Sequence, residues 1–166
     1  MIRFVPILPT KAFNPFGFRN EIVKQVADRV DFIKQDFEAT TATWDTRVVF
    51  QRTYNIAHDE ISGGVHTSNQ VYCWVVLGTK KDYPIVPRNA KLLRFQNQYQ
   101  AKTSKFVIGS QSGGKFGLWA ERLSVVHPGI EAREFHITIA TRHKRHFVNS
   151  IRLAMNEGVR RSGHGL

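Results

Sequence analysis

Residues 71–95, VYCWVVLGTKKDYPIVPRNAKLLRF, set the tightest limits on what this chain can fold into. The run from Val71 to Leu77 is apolar throughout and rich in β-branched and aromatic side chains, which reads as a buried strand. Gly78 and Thr79 stop it, and Lys80, Lys81 and Asp82 make a polar tip. Pro84 and Pro87 then forbid helix and force extended or turn geometry. Leu92, Leu93, Arg94 and Phe95 follow as the next strand.

Helical periodicity occupies the two ends. Ile22, Val26, Val30, Ile33 and Phe37 recur at three- and four-residue spacing, with Asp28, Asp31, Lys34 and Gln35 off that line. This predicts an amphipathic helix over residues 20–39, with Asn20 as N-cap and the threonine-rich TTATW stretch ending it. A second helix is expected over residues 131–161. Its core line is Phe135, Ile139, Phe147, Ile151, Ala154 and Met155, and Gly158 and Gly163 mark fraying and an end. Arg142, Lys144, Arg145, Arg152, Arg160 and Arg161 form its basic face, with His143 and His146 on the same solvated side.

Between the helices the pattern is that of sequential strands. Residues 46–54 alternate Val48 and Phe50 against Arg47, Val49 and Gln51. His58 and Asp59 make a turn, and residues 61–67 form a short strand. There Gly63 and Gly64 suggest a bulge or the close approach of another backbone. Ser68 and Asn69 make another turn. Residues 97–122 read as a long excursion from the sheet, polar at first, with a short strand at 106–108 and a flexible stretch at 109–114. Long loops with apolar residues of their own tend to be contact surfaces. The expected fold class is therefore α+β. It comprises an antiparallel β-sheet packed against an N-terminal and a C-terminal helix, a long loop or hairpin excursion and an extended N-terminal arm. The arm is residues 1–17, where Pro6, Pro9 and Pro15 interleave with Phe4, Ile7, Phe13 and Phe16; residues 18–166 form one domain.

The formal charge is +11 on 166 residues, which favours an acidic partner: nucleic acid, an anionic membrane or an acidic face of another protein. No apolar run is long enough to cross a membrane, and the N-terminus lacks the pattern of a signal peptide. The single cysteine, Cys73, is expected to be a small buried hydrophobe in its strand; it agrees with folding in the cytoplasm.

Motifs for chemistry are weak. Gly109 to Phe116, GSQSGGKF, nearly fits a phosphate-binding loop, but Phe116 stands where a hydroxyl must hold Mg²⁺ and no helix is expected to follow. His143 and His146, at i and i+3, are surrounded by cations that oppose a metal ion. His58, Asp59 and Glu60 lack a nucleophile to activate. Trp44, Trp74 and Trp119 read as core or interface residues. Nothing calls for an enzyme, a cofactor or a metal.

Two further segments carry a resemblance. Ile85-Val86-Pro87-Arg88-Asn89-Ala90-Lys91-Leu92-Leu93-Arg94-Phe95 is similar to an I-x-P-K-x-A-K-x-L-x-F stretch, with Arg88 in place of lysine. Val126-His127-Pro128-Gly129-Ile130-Glu131-Ala132-Arg133-Glu134-Phe135 is close to an H-P-G-x-x-x-R-x-F junction, with Glu134 where proline is frequent. Their order, after an N-terminal helix and a strand ending in Leu77-Gly78-Thr79, resembles the neck or minor tail-component proteins of long-tailed bacteriophages, over residues 20–160.

The resemblance implies a structural virion protein, assembled in the host cytoplasm. It would form a homo-oligomeric ring, a hexamer by analogy, at the head–tail junction or the top of the tail. Such a ring completes or joins the tail and leaves a channel through which DNA passes without being read. Its neighbours would be portal, adaptor or stopper proteins, or tail-terminator and tube proteins. Candidate subunit contacts are Phe4, Ile7, Phe13 and Phe16 in the arm, Gly78, Thr79 and Lys80 at the tip, and Phe106, Phe116 and Trp119 in the excursion. The alternative expectation, from charge alone, is a basic protein that binds nucleic acid without specificity.

Overall fold

The computed structural model describes residues 15–57 and 60–164. Among the described residues, three α-helices and three two-stranded antiparallel ribbons make an α+β fold in which the first and last helices pack with the strands. In chain order these are α1 (Pro15–Thr41), β1 (Gln51–Ile56), β2 (Ile61–His66), α2 (Gln70–Leu77), β3 (Tyr83–Ile85), β4 (Leu93–Gln100), β5 (Gly114–Arg122), β6 (Val125–His127) and α3 (Phe135–Val159). A π-helical turn, Arg160–His164, ends the described chain. The strands pair β1 with β2, β3 with β6 and β4 with β5. The single sheet expected from the sequence is thus three separate ribbons.

α1 is longer than its periodicity. It begins at Pro15, so Phe16 and Gly17 of the expected arm are helical and Asn20 lies inside the helix rather than capping it. Proline is tolerated in a first turn because its missing N–H has no intrahelical partner there. The apolar line holds: Val26 and Val30 are buried, and Ile22, Ile33 and Phe37 are half-buried. At the other end the threonines close the helix. The Thr40 hydroxyl donates to the Asp36 carbonyl at 2.6 Å and the Thr41 hydroxyl to that of Phe37 at 3.1 Å. Thr40 also accepts from the Gly109 amide at 3.1 Å, which ties the middle of the 101–113 loop to α1.

The run 71–77 is a helix, not a strand. The Asn69 side chain caps it by accepting from the Tyr72 amide at 3.0 Å. Gly78, at φ +79°, ends it. On a helix Tyr72, Val75 and Val76 share one side at i, i+3 and i+4, and that side meets the core. Cys73, Trp74 and Leu77 turn outward, so the cysteine is exposed rather than a buried hydrophobe. β-propensity favoured the strand, but two caps and a core on one side only favour the helix.

The core gathers around Phe135 and Ile139, both fully buried, with Val76. Tyr72 stands edge-on to Phe37, Phe50 and Phe135, and Trp44 meets Phe135 edge to face at 6.3 Å. Burial pushes the Tyr72 hydroxyl up to about 12. Residues 47–50 are irregular, yet their alternation holds: Val48 and Phe50 are buried and Val49 exposed. On α3 the buried line is Phe135, Ile139, His143, Ser150, Ala154 and Gly158. Phe147 and Met155 lie further out than expected. Gly158 is a contact rather than a fraying point, because a Cβ there would stand 2.7 Å from the Phe18 ring. Gly63 has a similar role, with the Val30 side chain 2.7 Å from where its Cβ would be; β1 and β2 pair without a bulge.

One joint holds these parts together. The segment 127–134 lies against the end of α2. The Arg133 and Glu134 amides donate to the Val75 and Val76 carbonyls at 3.2 and 3.4 Å, groups a helix end leaves unpaired. The Thr79 amide donates to the Ile130 carbonyl at 2.9 Å, and the Ile130 amide donates back to the Thr79 hydroxyl at 2.9 Å. A Cβ on Gly78 would stand 2.7 Å from the Ile130 oxygen; one on Gly129, at φ +77°, would stand 2.9 Å from the Thr79 oxygen. Glu134 has φ +40° and uses its amide, so proline is excluded there on both counts. Gly78→Ala and Gly129→Ala should each lower stability by roughly 2 kcal/mol or more, from strained backbone plus steric overlap. Gly64→Ala, in ordinary space with its nearest neighbour 3.6 Å away, should change it by less than about 1 kcal/mol. Urea unfolding of the three variants checks the order.

Candidate assembly surface

The 97–122 excursion is a hairpin. β4 continues to Gln100, through residues read from the sequence as loop, and β5 returns beside it. Its register slips once. Gln96 faces Trp119 and Gln98 faces Phe116, so two residues of β5, Gly117 and Leu118, oppose Asn97 alone. Gly117, at φ +85°, supplies the left-handed backbone that such a bulge uses.

The bulge has a consequence for the surface. In a regular strand Phe116 and Trp119, three residues apart, would point to opposite sides. Here both lie opposite residues of one face, Gln96 and Gln98, and so share that face. Phe116 is 46% and Trp119 63% exposed. The Arg94 guanidinium sits 5.1 Å over the Trp119 ring, an arrangement in which the indole face attracts the cation. Leu118 at the bulge is 79% exposed, and Leu92 and Leu123 at the base of the ribbon are exposed as well. Beneath the ribbon runs a cleft of about 840 Å³, lined among others by Trp44, Val71, Val75, Ile85, Phe95 and Ile130.

The hairpin loop 101–113 is docked, not loose. The Arg133 guanidinium donates to the Thr103 carbonyl, and Thr103 is buried. The Thr138 hydroxyl donates to the Lys105 carbonyl at 3.1 Å, and the Gln111 amide to that of Lys102 at 2.8 Å. Lys102 pairs with Asp45 at 2.7 Å, and Lys105 pairs with Glu131. Residues 106–108 form no strand; Ile108 packs on the core while Phe106 is 82% exposed. The glycine loop at 109–114 leads into β5, so no helix follows it.

The other sequence candidates separate. Phe4, Ile7 and Phe13, like His58 and Asp59, lie outside the described residues. Phe16 is exposed in the first turn of α1. Gly78 and Thr79 are engaged within the chain, at the joint with 129–132, while Lys80 beside them is exposed. Trp44 is a core aromatic; Trp74 is largely exposed on α2.

The basic residues of α3 and of the turn that follows it also divide. Arg142 reaches Asp36 of α1 at 3.4 Å, and Arg160 and Arg161 both hold Glu157; Arg161 also holds Glu21. Among the described residues no carboxylate pairs with Lys144, Arg145 or Arg152. His143 is not on the solvated face. It is buried, with Nε2 2.8 Å from Asp36 Oδ2, and its Nδ1 has no partner among the described residues. Its spacing on the buried line, four residues after Ile139, was the signal for this position. No cluster able to hold a metal ion occurs among the described residues.

Compared with protein-family models, with curated proteins and with solved structures, the chain matches none.

Two outcomes follow from these contacts. Arg133→Ala should lower the hydrogen-exchange protection of the Gly109 and Gln111 amides about tenfold or more, a charged hydrogen bond being worth roughly 1.5–3 kcal/mol. The second concerns Glu157, whose carboxyl is held down at about 2, against 4.5, by hydrogen bonds from Arg160 and then Arg161. A folded pKa below the unfolded one gives stabilisation that is complete above pH 4.5 and is lost as pH falls toward 2. The turn that follows α3 should therefore fray across that window. Glu157→Gln should remove this dependence, as read by NMR of the 157–162 amides.

Proposed function

We propose that the chain is a structural protein that assembles with copies of itself into a closed ring at the head–tail junction or tail top of a long-tailed bacteriophage. Each ring contact would be head-to-tail, one surface of a copy meeting a different surface of the next. The observation that carries the reading is the β4–β5 ribbon. It presents Phe116 and Trp119 on one face through a bulge, with Leu118 exposed beside them. A bulge that gathers two aromatics into water has no use in an isolated molecule, whereas large aromatics with a stacked arginine are what buried contact centres are made of.

Further support comes from the residues that carry the resemblance. Gly78, Thr79, His127, Gly129 and Arg133 meet in the α2 joint, and Phe135 is the centre of the core beside it. They come from two distant segments of the chain and meet as one unit. The ring would leave a channel for DNA and abut portal, adaptor, stopper, terminator or tube proteins.

The ring reading is tested by mass and by imaging. The full chain should form a discrete species several times the monomer mass, visible as a ring. Phe116→Ser with Trp119→Ser should reduce it to monomer while shifting monomer stability by only about 0.5 kcal/mol, as surface changes do. A wild-type monomer at every concentration, in isolation and with particle components, would sink the proposal.

A further inference from the structure

We propose that the outward side of α3 is a contact surface for the phosphate backbone of duplex DNA, with Arg145 and Arg152 as its principal cations and Asn149 and Asn156 as neutral donors. The inference rests on the ring reading for how the duplex arrives, by passage through the channel; the contact itself belongs to this helix.

Residues 145, 149, 152 and 156 follow one another at four-, three- and four-residue steps, so they form a single stripe. Each residue turns the helix about 100°, which puts Arg152 roughly 200° round from the buried Ser150. The stripe therefore faces away from α1. All four of its residues are exposed.

Charge decides what such a stripe fits. From Phe135 to Asn156 α3 has no Asp or Glu. Some cations elsewhere are neutralised, Lys34 with Glu38, Arg52 with Asp31, Lys102 with Asp45 and Lys105 with Glu131, and among the described residues others, such as Arg88 and Lys91, are not; what sets this stripe apart is two arginines aligned on one acid-free helix face. Arg145 and Arg152 lack such a partner among the described residues, and Arg142 at the edge of the stripe is tied only at 3.4 Å. A net charge of +11 thus includes a rigid, straight line of unspent guanidinium charge. Guanidinium suits phosphate oxygens because its planar donors bind them two at a time, and side-chain amides donate to the same oxygens. The seven-residue step from Arg145 to Arg152 rises about 10 Å, roughly three steps of one DNA strand at 3.4 Å each. Two or three such contacts supply counterion release, not a base code, so binding is weak and indifferent to sequence. A duplex that must slide requires that.

The test uses the full chain and a fluorescently labelled 20-base-pair duplex of arbitrary sequence, titrated between 50 and 200 mM salt, with mass measured in parallel. Wild-type protein should bind with a log–log salt slope of about −2 to −3 per subunit engaged, near −0.9 for each phosphate contact. Arg145→Glu with Arg152→Glu should weaken binding at least about tenfold at 50 mM salt and flatten the slope by about 2. Arg145→Lys with Arg152→Lys should retain the slope, which guards against a folding defect. Arg88→Glu with Lys91→Glu makes the same change of charge in an exposed loop and should leave the slope within about 0.5 of wild type.

Equal losses in the loop and helix variants would overturn the proposal in favour of bulk charge. No wild-type binding at 50 mM salt would overturn it outright. A helix variant that binds DNA normally but changes mass would assign the stripe to a protein contact instead. If wild-type protein is monomeric yet shows the predicted slope and its loss, the ring reading fails while this surface stands.

Discussion

The rest of the structure depends on the backbone contact between the end of α2 and the segment 127–134. A helix of eight residues is too short to hold itself in water, and its last carbonyls must find donors. They find them in the amides of Arg133 and Glu134, while Thr79 and Ile130 exchange two hydrogen bonds just beyond. Only glycine at positions 78 and 129 lets the two backbones come this close. The same segment then delivers Phe135 to the centre of the core and Arg133 to the hairpin loop. One joint therefore positions α2, the start of α3 and the loop that connects β4 to β5.

From that arrangement come two surfaces of opposite chemistry. The ribbon exposes Phe116, Leu118 and Trp119 among its polar residues; the outer side of α3 is basic and acid-free. In the proposed ring they would do different work, the first holding neighbours together through burial of apolar area, the second meeting a polyanion through long-range charge. The separation has a physical logic. An aromatic contact needs a fixed, dry geometry, which the bulge at Gly117 supplies. A sliding duplex needs the opposite, contacts that form and break without one preferred position.

Where the sequence misled, the reason can be named in each case. Residues 71–77 have strand composition, but their neighbours cap a helix, and a core on one side only asks for i, i+3, i+4 placement. Gln96 to Gln100 look like loop because polar residues fill both faces of a ribbon that water reaches on each side. The 109–114 glycines suggest mobility; the Gly109 amide instead finds its acceptor in the Thr40 hydroxyl, far away in the chain, which leaves no local pattern. His143 belongs to the buried line by spacing, but its polarity argues for the surface until Asp36 is placed against it. The Phe116–Trp119 pairing depends on one slipped register, which alternation cannot reveal.

By itself the sequence determined the α+β class, the two amphipathic helices with Val26, Val30, Phe135 and Ile139 inward, the end of α1 at its threonines, and the surplus of positive charge. Those properties are local: periodicity, capping and composition act over a few residues. Tertiary structure alone decided the state of α2, the division of the strands into three ribbons, the docking of the 101–113 loop, and which arginines of α3 remain unpaired. The α2 joint, the β3–β6 pairing, the Arg133 contact with the loop and the ion pairs to α1 depend on partners brought from 30 to more than 100 residues away, and a hydrogen bond or ion pair across such a gap exists only once the chain has closed on itself.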